Sequence, residues 1–208
     1  VVVALKEFTT ITDMGRNREN DFTPYSYGCA YPFLVQAKLS EQSPKKYDIY
    51  NRGISGNRIV DLYARIKCDC WNIEPDVISV LIGINDIWHE ISHKNGVDIV
   101  RFEKVYRMFI EDTKKVLPGV KFMLLQPFVL EGSATSEHMG EFDKVKQYAE
   151  VVKKLADEYG AKLVPLQAEF DKAAAENGAE YYLYDGVHPS VAGSNLIAGQ
   201  WLKAFAEI

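Results

Sequence analysis

The chain has 208 residues, of which 47% are hydrophobic and 25% are charged, and it carries a formal net charge of −5. That length and composition suit a globular protein with one sizeable core. The sequence is acidic and contains no run of basic residues, which argues against nucleic acid and anionic membranes as partners, and no apolar run approaches the roughly 18 residues that span a bilayer.

Short runs rich in Val, Ile and Leu predict five β-strands. They lack the alternation of apolar and polar side chains, which indicates strands that are covered on both faces. In chain order they are residues 1–5, 47–51, 77–83, 120–126 and 162–165. Amphipathic spacing predicts helices over residues 27–40, 58–67, 100–117, 141–159, 167–176 and 191–206, with Gly160 as a C-cap and Ser190 as an N-cap. This alternation predicts one α/β domain over residues 1–208 with a parallel sheet.

Polar and glycine-containing segments follow the predicted strands, at the sheet edge where α/β proteins bind ligands. Gly56 and Asn85 follow the second and third strands, and Asp185 precedes His188 by three residues near the C-terminus. A hydroxyl nucleophile needs a base such as histidine, the histidine needs an acceptor on its other nitrogen, and a tetrahedral intermediate needs donors for its oxyanion. Together these residues indicate an acyl-transfer site.

Three of these segments also occur in the order of a known family. The segments ISGNRIVDL, IGIND and DGVHPS resemble the SGNH or GDSL-type hydrolases. The resemblance implies a three-layer α/β/α sandwich whose five-stranded parallel sheet has the flavodoxin-like order 2-1-3-4-5. It implies Gly56 and Asn85 as oxyanion donors, and Asp185 with His188 as the acid–base pair. The implied activity is hydrolysis of carboxylic esters with small acyl groups, without a metal or organic cofactor.

Other segments are similar to the branch of that family that deacetylates plant-wall sugars, including xylan and xylo-oligosaccharides. These segments are TDMGRNRE, NDIW and PFVLEG. On this resemblance, the candidate substrate is a small ester such as an acetylated saccharide. Asn57 is then a substrate-binding residue and Trp88 stacks on a sugar ring, although an ordinary packing role for Trp88 stays open.

The first block of the family does not match. The family has Gly-Asp-Ser there, with the serine as nucleophile, whereas this chain has Phe8, Thr9 and Thr10. Thr10 keeps a hydroxyl, but its methyl group restricts χ1 and crowds the attack geometry. Three explanations stay open. Thr10 is a poor but working nucleophile, the protein binds a carbohydrate or acyl ligand without hydrolysing it, or the segment is altered or aligned out of register.

A second motif points to different chemistry. His89, Glu90 and His93 have the H-E-x-x-H spacing of zinc peptidases, with two ligands on one helix face and a glutamate as base. The longer form of that motif needs a third ligand at the position of Ile99, which cannot bind metal. We therefore predict no metal here and expect both histidines on a loop or short helix at the rim of the site. A zinc metallopeptidase is kept as an alternative.

The cysteine pattern indicates the cellular compartment of the protein. Cys29, Cys68 and Cys70 are odd in number, and the last two are too close in sequence for an easy disulfide. This pattern predicts reduced thiols and a cytoplasmic protein. The chain begins with Val1 rather than Met, so N-terminal trimming and secretion stay open. The sequence does not indicate an oligomeric state.

Overall fold

The structure is a computed structural model that describes residues 1–7 and 10–208, with the side chains of residues 5, 6, 7 and 10 left outside the description. Phe8 and Thr9, in the predicted nucleophile block, therefore lie outside the described residues, and so does the hydroxyl of Thr10.

Five parallel strands form one sheet. They are β1 (Val2–Glu7), β2 (Asp48–Asn51), β3 (Val77–Leu81), β4 (Lys121–Leu125) and β5 (Lys162–Val164). Their order is β2-β1-β3-β4-β5, and every neighbouring pair is parallel. All five predicted strands and their predicted order are confirmed, with strand ends that differ from the predicted ones by no more than two residues. The central strand β3 buries all five of its residues, as its continuous apolar run predicts.

Helices connect the strands and cover the sheet. They are α1 (Thr10–Asp13), α2 (Tyr31–Gln42), α3 (Ile59–Ala64), α4 (Ile66–Asp69), α5 (Ile84–His93), α6 (Ile99–Val116), α7 (Met139–Phe142), α8 (Val145–Tyr159), α9 (Gln167–Asn177), α10 (Ala179–Tyr182) and α11 (Val191–Phe205). In the part of the chain that the structure describes, no helix is both long and apolar enough to cross a membrane.

Two helix layers enclose the sheet, as the three-layer prediction requires. Helix α2 packs against α11 in one layer, and α6 packs against α3 and α8 in the other. In the first layer the buried indole of Trp201 donates a 2.8 Å hydrogen bond to the Ser79 hydroxyl of β3. In the second, the rings of Phe109 and Phe122 meet edge to face at 6.1 Å. Buried aromatic side chains therefore pack both helix layers against the central strands.

The predicted caps are confirmed. Gly160 ends α8 in the left-handed conformation with φ +64°, and the Ser190 hydroxyl accepts from the Gly193 N–H at the start of α11. The predicted helix over residues 58–67 is instead divided into α3 and α4 at Arg65, whose ψ of +12° is not helical.

Helix α5 carries the two histidines. His89 and His93 lie in a ten-residue helix, which is one of the two settings expected for them, whereas the third strand ends at Leu81 instead of reaching residue 83. The chain turns at Gly83, whose φ of +127° is strained for any residue with a side chain. Because the turn takes place at Gly83, the helix starts immediately before Asn85.

Candidate active site

The predicted site residues lie on segments that follow parallel strands or precede the last helix. Gly56 follows β2, and Asn85 stands in the first turn of α5 directly after β3. Asp185 and His188 lie between α10 and α11. The carboxyl ends of the parallel strands meet at one edge of the sheet, which is where such proteins place their ligands.

Asp185 and His188 form a close pair in what we call the acid–base turn, residues 183–190. The Asp185 Oδ2 lies 2.6 Å from His188 Nδ1, and its Oδ1 accepts from the backbone N–H groups of Val187 and His188 at 3.0 and 2.8 Å. Burial raises the pKa of Asp185, but the hydrogen bonds from His188 and Val187 outweigh it and lower the pKa below its usual value. An ionised Asp185 favours a proton on Nδ1, which places the lone pair of the neutral His188 ring on Nε2.

The acid–base turn is closed by its own backbone. Leu183 and Pro189 form an isolated antiparallel bridge, and the Tyr184 N–H donates to the His188 carbonyl at 3.1 Å. Two hydrogen bonds from the segment after β4 support it, from Leu130 N–H to the Gly186 carbonyl and from Ala134 N–H to the Asp185 carbonyl. The PFVLEG segment therefore carries a supporting role that its sequence did not reveal.

Two aromatic rings flank the His188 imidazole. Trp88 lies 5.8 Å from it between ring centroids and also meets Phe142 edge to face at 5.6 Å. Tyr184 stacks on the imidazole at 5.8 Å with 20° between the planes, and half of its side chain is exposed. Trp88 therefore packs against neighbouring rings, as the packing alternative expects, and sugar stacking stays a prediction. Tyr184 was not predicted as a site residue, although its position next to Asp185 in the sequence could have indicated it.

A second group of residues forms what we call the oxyanion loop, residues 52–57. The Asn57 N–H closes a four-residue turn onto the Ile54 carbonyl at 3.4 Å, and Gly56 occupies its third position with φ +81°. Such a turn favours glycine there because a side chain is strained at positive φ. The Asn85 amide nitrogen donates to the Asn57 carbonyl at 3.1 Å. The two predicted oxyanion donors, Gly56 and Asn85, are thereby brought together.

The predicted substrate residue Asn57 is already engaged. Its side-chain carbonyl accepts a 2.9 Å hydrogen bond from Arg65, the residue that divides α3 from α4. A role for Asn57 in substrate binding therefore stays a prediction, and the Arg65 contact gives it a structural role as well.

Buried charges connect the first loop to the oxyanion loop. The Asp13 Oδ2 accepts from the Ser55 N–H at 2.9 Å and pairs with Arg18. The buried Arg16 donates from Nε to the Gly53 carbonyl at 2.7 Å. Sequence reasoning noted the TDMGRNRE segment only for its resemblance. The structure shows that its charged residues hold the loop that carries Gly56.

Asp86 stands beside Asn85 and is 1% exposed. Its Oδ1 accepts from the Ile59 N–H at 3.1 Å, at the start of α3, while no described residue donates to Oδ2. Burial raises the pKa of this carboxyl to about 7. A carboxyl with this pKa gains its charge only near neutral pH.

The H-E-x-x-H histidines lie one turn apart on α5, with ring centroids 5.6 Å from each other. Ile99 begins α6, and Nδ1 of the exposed His93 lies 2.6 Å from the Ser92 hydroxyl. Within residues 1–7 and 10–208, no three His, Cys, Asp or Glu side chains are grouped so that they could hold a metal ion. A zinc ion bound by His89 and His93 would therefore lack a third protein ligand among the described residues.

Comparison with known proteins identifies the family. The family model of GDSL-like lipases and acylhydrolases matches residues 11–196. An acetylxylan esterase of Geobacillus stearothermophilus is 32% identical over 200 residues, which cover 93% of this chain and 89% of that protein. The GDSL esterase/lipase CPRD49 of Arabidopsis thaliana is 25% identical over 189 residues, which cover 82% of this chain and 71% of that protein.

Solved structures agree. A GDSL-lipase-like protein from Parabacteroides merdae ATCC 43184 superposes with a TM-score of 0.93 at 33% identity, over 99% of this chain and 95% of that one. The acetylxylan esterase Axe2 of Geobacillus stearothermophilus superposes with a TM-score of 0.87 at 30% identity, over 98% of this chain and 93% of that one. The chain therefore belongs to the GDSL-like lipase/acylhydrolase family and is an esterase of that family.

Proposed function

We propose that this esterase removes acetyl groups from acetylated saccharides, with xylo-oligosaccharides as the candidate class. The observation that carries the proposal is the 2.6 Å contact of Asp185 with His188, beside an indole ring suited to a sugar face. The similarity to an acetylxylan esterase over 93% of the chain supports acetyl as the acyl group and a saccharide as the alcohol.

In the proposed reaction the Thr10 hydroxyl attacks the acetyl carbonyl while Nε2 of His188 takes its proton. The ionised Asp185 stabilises the imidazolium through Nδ1. The oxyanion accepts from the Gly56 and Thr10 N–H groups and the Asn85 amide. The intermediate collapses, the sugar alcohol leaves with the proton from His188, and water then attacks the acetyl-enzyme by the same route. Acetate is released and Thr10 is restored.

The first block is the point at which this proposal differs from the relatives. Structures of catalytic mutants of Axe2 carry an alanine in place of a serine or of an aspartate. This chain has an aspartate in the acid–base pair, but Phe8-Thr9-Thr10 where the family has Gly-Asp-Ser. The methyl group of Thr10 restricts the rotamers from which its hydroxyl can attack, so we expect turnover to be low.

The test is hydrolysis of p-nitrophenyl acetate and release of acetate from acetylated xylo-oligosaccharides. We expect Thr10→Ser to raise kcat/KM by about tenfold or more, Thr10→Ala to abolish turnover, and Phe8→Gly combined with Thr10→Ser to exceed either single change. Thr9→Ser is the matched control, because it removes the same methyl group one residue away. A gain with Thr9→Ser and none with Thr10→Ser would mean that the segment is aligned out of register.

A second candidate function is ligand binding without hydrolysis, which the missing serine favours. It predicts that the protein and all of these variants are folded and inactive, while calorimetry still detects binding of acetylated xylo-oligosaccharides. Parent activity that survives Thr10→Ala would instead place the nucleophile elsewhere in the chain.

A further inference from the structure

His89 is one of the two histidines of the H-E-x-x-H segment, to which the proposed reaction assigns no role. It lies one helical turn after Asn85 on α5, and its Nε2 is 3.9 Å from the point where a Cβ on Gly56 would stand. The imidazole therefore covers the side of Gly56 from which a side chain would project.

The surroundings of His89 favour the neutral imidazole. Burial is the largest effect on the pKa of His89 and lowers it below its usual value, and Arg58 and His93 act in the same direction. The Asp61 carboxylate and the neighbouring Gly56 backbone oppose this shift. A backbone contact that favours the charged imidazolium must offer an acceptor, so the Gly56 partner is the carbonyl.

The residues on both sides of Gly56 are held by other segments. The Ser55 N–H donates to Asp13 of the first loop, and the Asn57 carbonyl accepts from Asn85. Gly56 itself has no Cβ, and its backbone can rotate more freely than that of any other residue. These two hydrogen bonds and the 3.4 Å turn bond from Asn57 to Ile54 are all made by neighbours of Gly56 rather than by its own N–H.

We propose that His89 is a positioning residue for the oxyanion loop: it donates from Nε2 to the Gly56 carbonyl and keeps the Gly56 N–H aimed at the reacting oxygen. This inference rests on the proposed function, because it assumes that Gly56 donates to the oxyanion. His89 acts through Gly56 and does not touch the substrate. The effect falls on the transition state, where the oxyanion forms, rather than on ground-state binding.

Kinetic variants test the proposal, measured in the Thr10→Ser protein where the ester signal is larger. His89→Leu should lower kcat about tenfold with KM changed by less than about twofold, because a misdirected oxyanion donor weakens only transition-state binding. His89→Gln keeps a donor of similar reach and should recover most of the loss. His93→Leu is the matched control on the same helix and should leave kcat unchanged. Equal losses in His89→Leu and His89→Gln, or in His89→Leu and His93→Leu, would overturn the proposal.

A second readout does not depend on turnover. In the unsubstituted protein with ¹⁵N-labelled histidine, neutral His89 should carry its proton on Nε2, and a proton on Nδ1 would overturn the proposal. With ¹⁵N-labelled glycine, the Gly56 amide resonance should shift in His89→Leu and stay in place in His93→Leu. If the Thr10→Ser protein hydrolyses no ester, the proposed function fails, while these spectra still decide whether His89 holds Gly56.

Discussion

The acid–base turn and the oxyanion loop serve one proposed reaction but are stabilised in different ways. In the acid–base turn, a single carboxylate accepts from two backbone N–H groups and an imidazole within three residues, and a local bridge closes the segment. The oxyanion loop has a long internal hydrogen bond, at 3.4 Å from the Asn57 N–H to the Ile54 carbonyl. Its geometry depends on Asp13, Arg16 and Asn85, which come from other segments.

Because of this difference, we expect substitutions in the two regions to affect activity and stability differently. A change in the acid–base turn removes a reacting group but leaves its backbone contacts largely in place, so activity should fall with little loss of stability. A change in the supports of the oxyanion loop exposes or unpairs buried charges, so activity and stability should fall together. The following predictions test this separation, with kinetics measured in the Thr10→Ser protein.

The largest effect is expected for Asp185→Asn. The amide can still accept from the two backbone N–H groups, but it presents a donor to Nδ1 and selects the wrong tautomer of His188. We expect kcat to fall about 10⁴-fold while the urea midpoint of unfolding falls only slightly, because the two backbone hydrogen bonds are weakened but kept. Asp143→Asn, at an exposed position, is the control. A large loss of stability would show that the turn is not locally stabilised.

Asp13→Asn should affect both properties. The change removes the carboxylate that pairs with Arg18 and lies 3.9 Å from the buried Arg16. We expect the free energy of unfolding to fall by about 2–4 kcal/mol, because a buried cation loses its partner, and kcat to fall about 10²-fold as the Ser55 contact weakens. Asp21→Asn removes the more exposed partner of Arg52 and serves as control. An unchanged unfolding midpoint for Asp13→Asn would contradict the comparison.

Asp86 predicts how stability varies with pH. Burial raises its pKa from 3.8 to about 7, so the folded protein binds the proton to higher pH than the unfolded chain does. The contribution of Asp86 to stability is therefore fully present below about pH 4, declines as the pH rises, and is lost above about pH 7. Asp86→Asn keeps an acceptor for the Ile59 N–H and should flatten this slope.

At pH 8 we expect the Asp86→Asn variant to be more stable than the parent by on the order of 2 kcal/mol, since no buried charge remains. Urea unfolding at several pH values measures both slopes. Asp143→Asn should keep the slope of the parent. A stability difference between Asp86→Asn and the parent that stays constant from pH 4 to pH 7 would contradict the assignment to Asp86.

The smallest effect is expected for Trp88, which touches His188 and stands on the helix of Asn85. Trp88→Ala should raise KM for acetylated xylo-oligosaccharides about tenfold, because a sugar loses its stacking surface, while KM for p-nitrophenyl acetate should change much less. Trp88→Phe keeps a ring and should lie between the parent and Trp88→Ala. Equal changes for both esters would leave Trp88 with the packing role against Phe142 alone.

The amino-acid sequence by itself determined the strands, their alternation with helices and the acid–base pair. Each depends on neighbouring residues: apolar runs identify buried strands, and three residues are enough for the Asp185 carboxylate to reach its own turn and the His188 ring. Gly160 and Ser190 were predictable as caps for the same reason. The strand order followed from the resemblance of three segments to a family.

Only the tertiary structure decided which residues hold the oxyanion loop and flank the base. Asp13 meets Ser55 across 42 positions of the chain, and Trp88 and His188 are 100 positions apart. Such contacts exist because the parallel sheet brings the ends of separate strands to one edge. The spacing of neighbouring residues in the sequence does not predict them. The positive φ of Gly83 likewise starts α5 early enough to bring Asn85 and His89 onto one face beside Gly56.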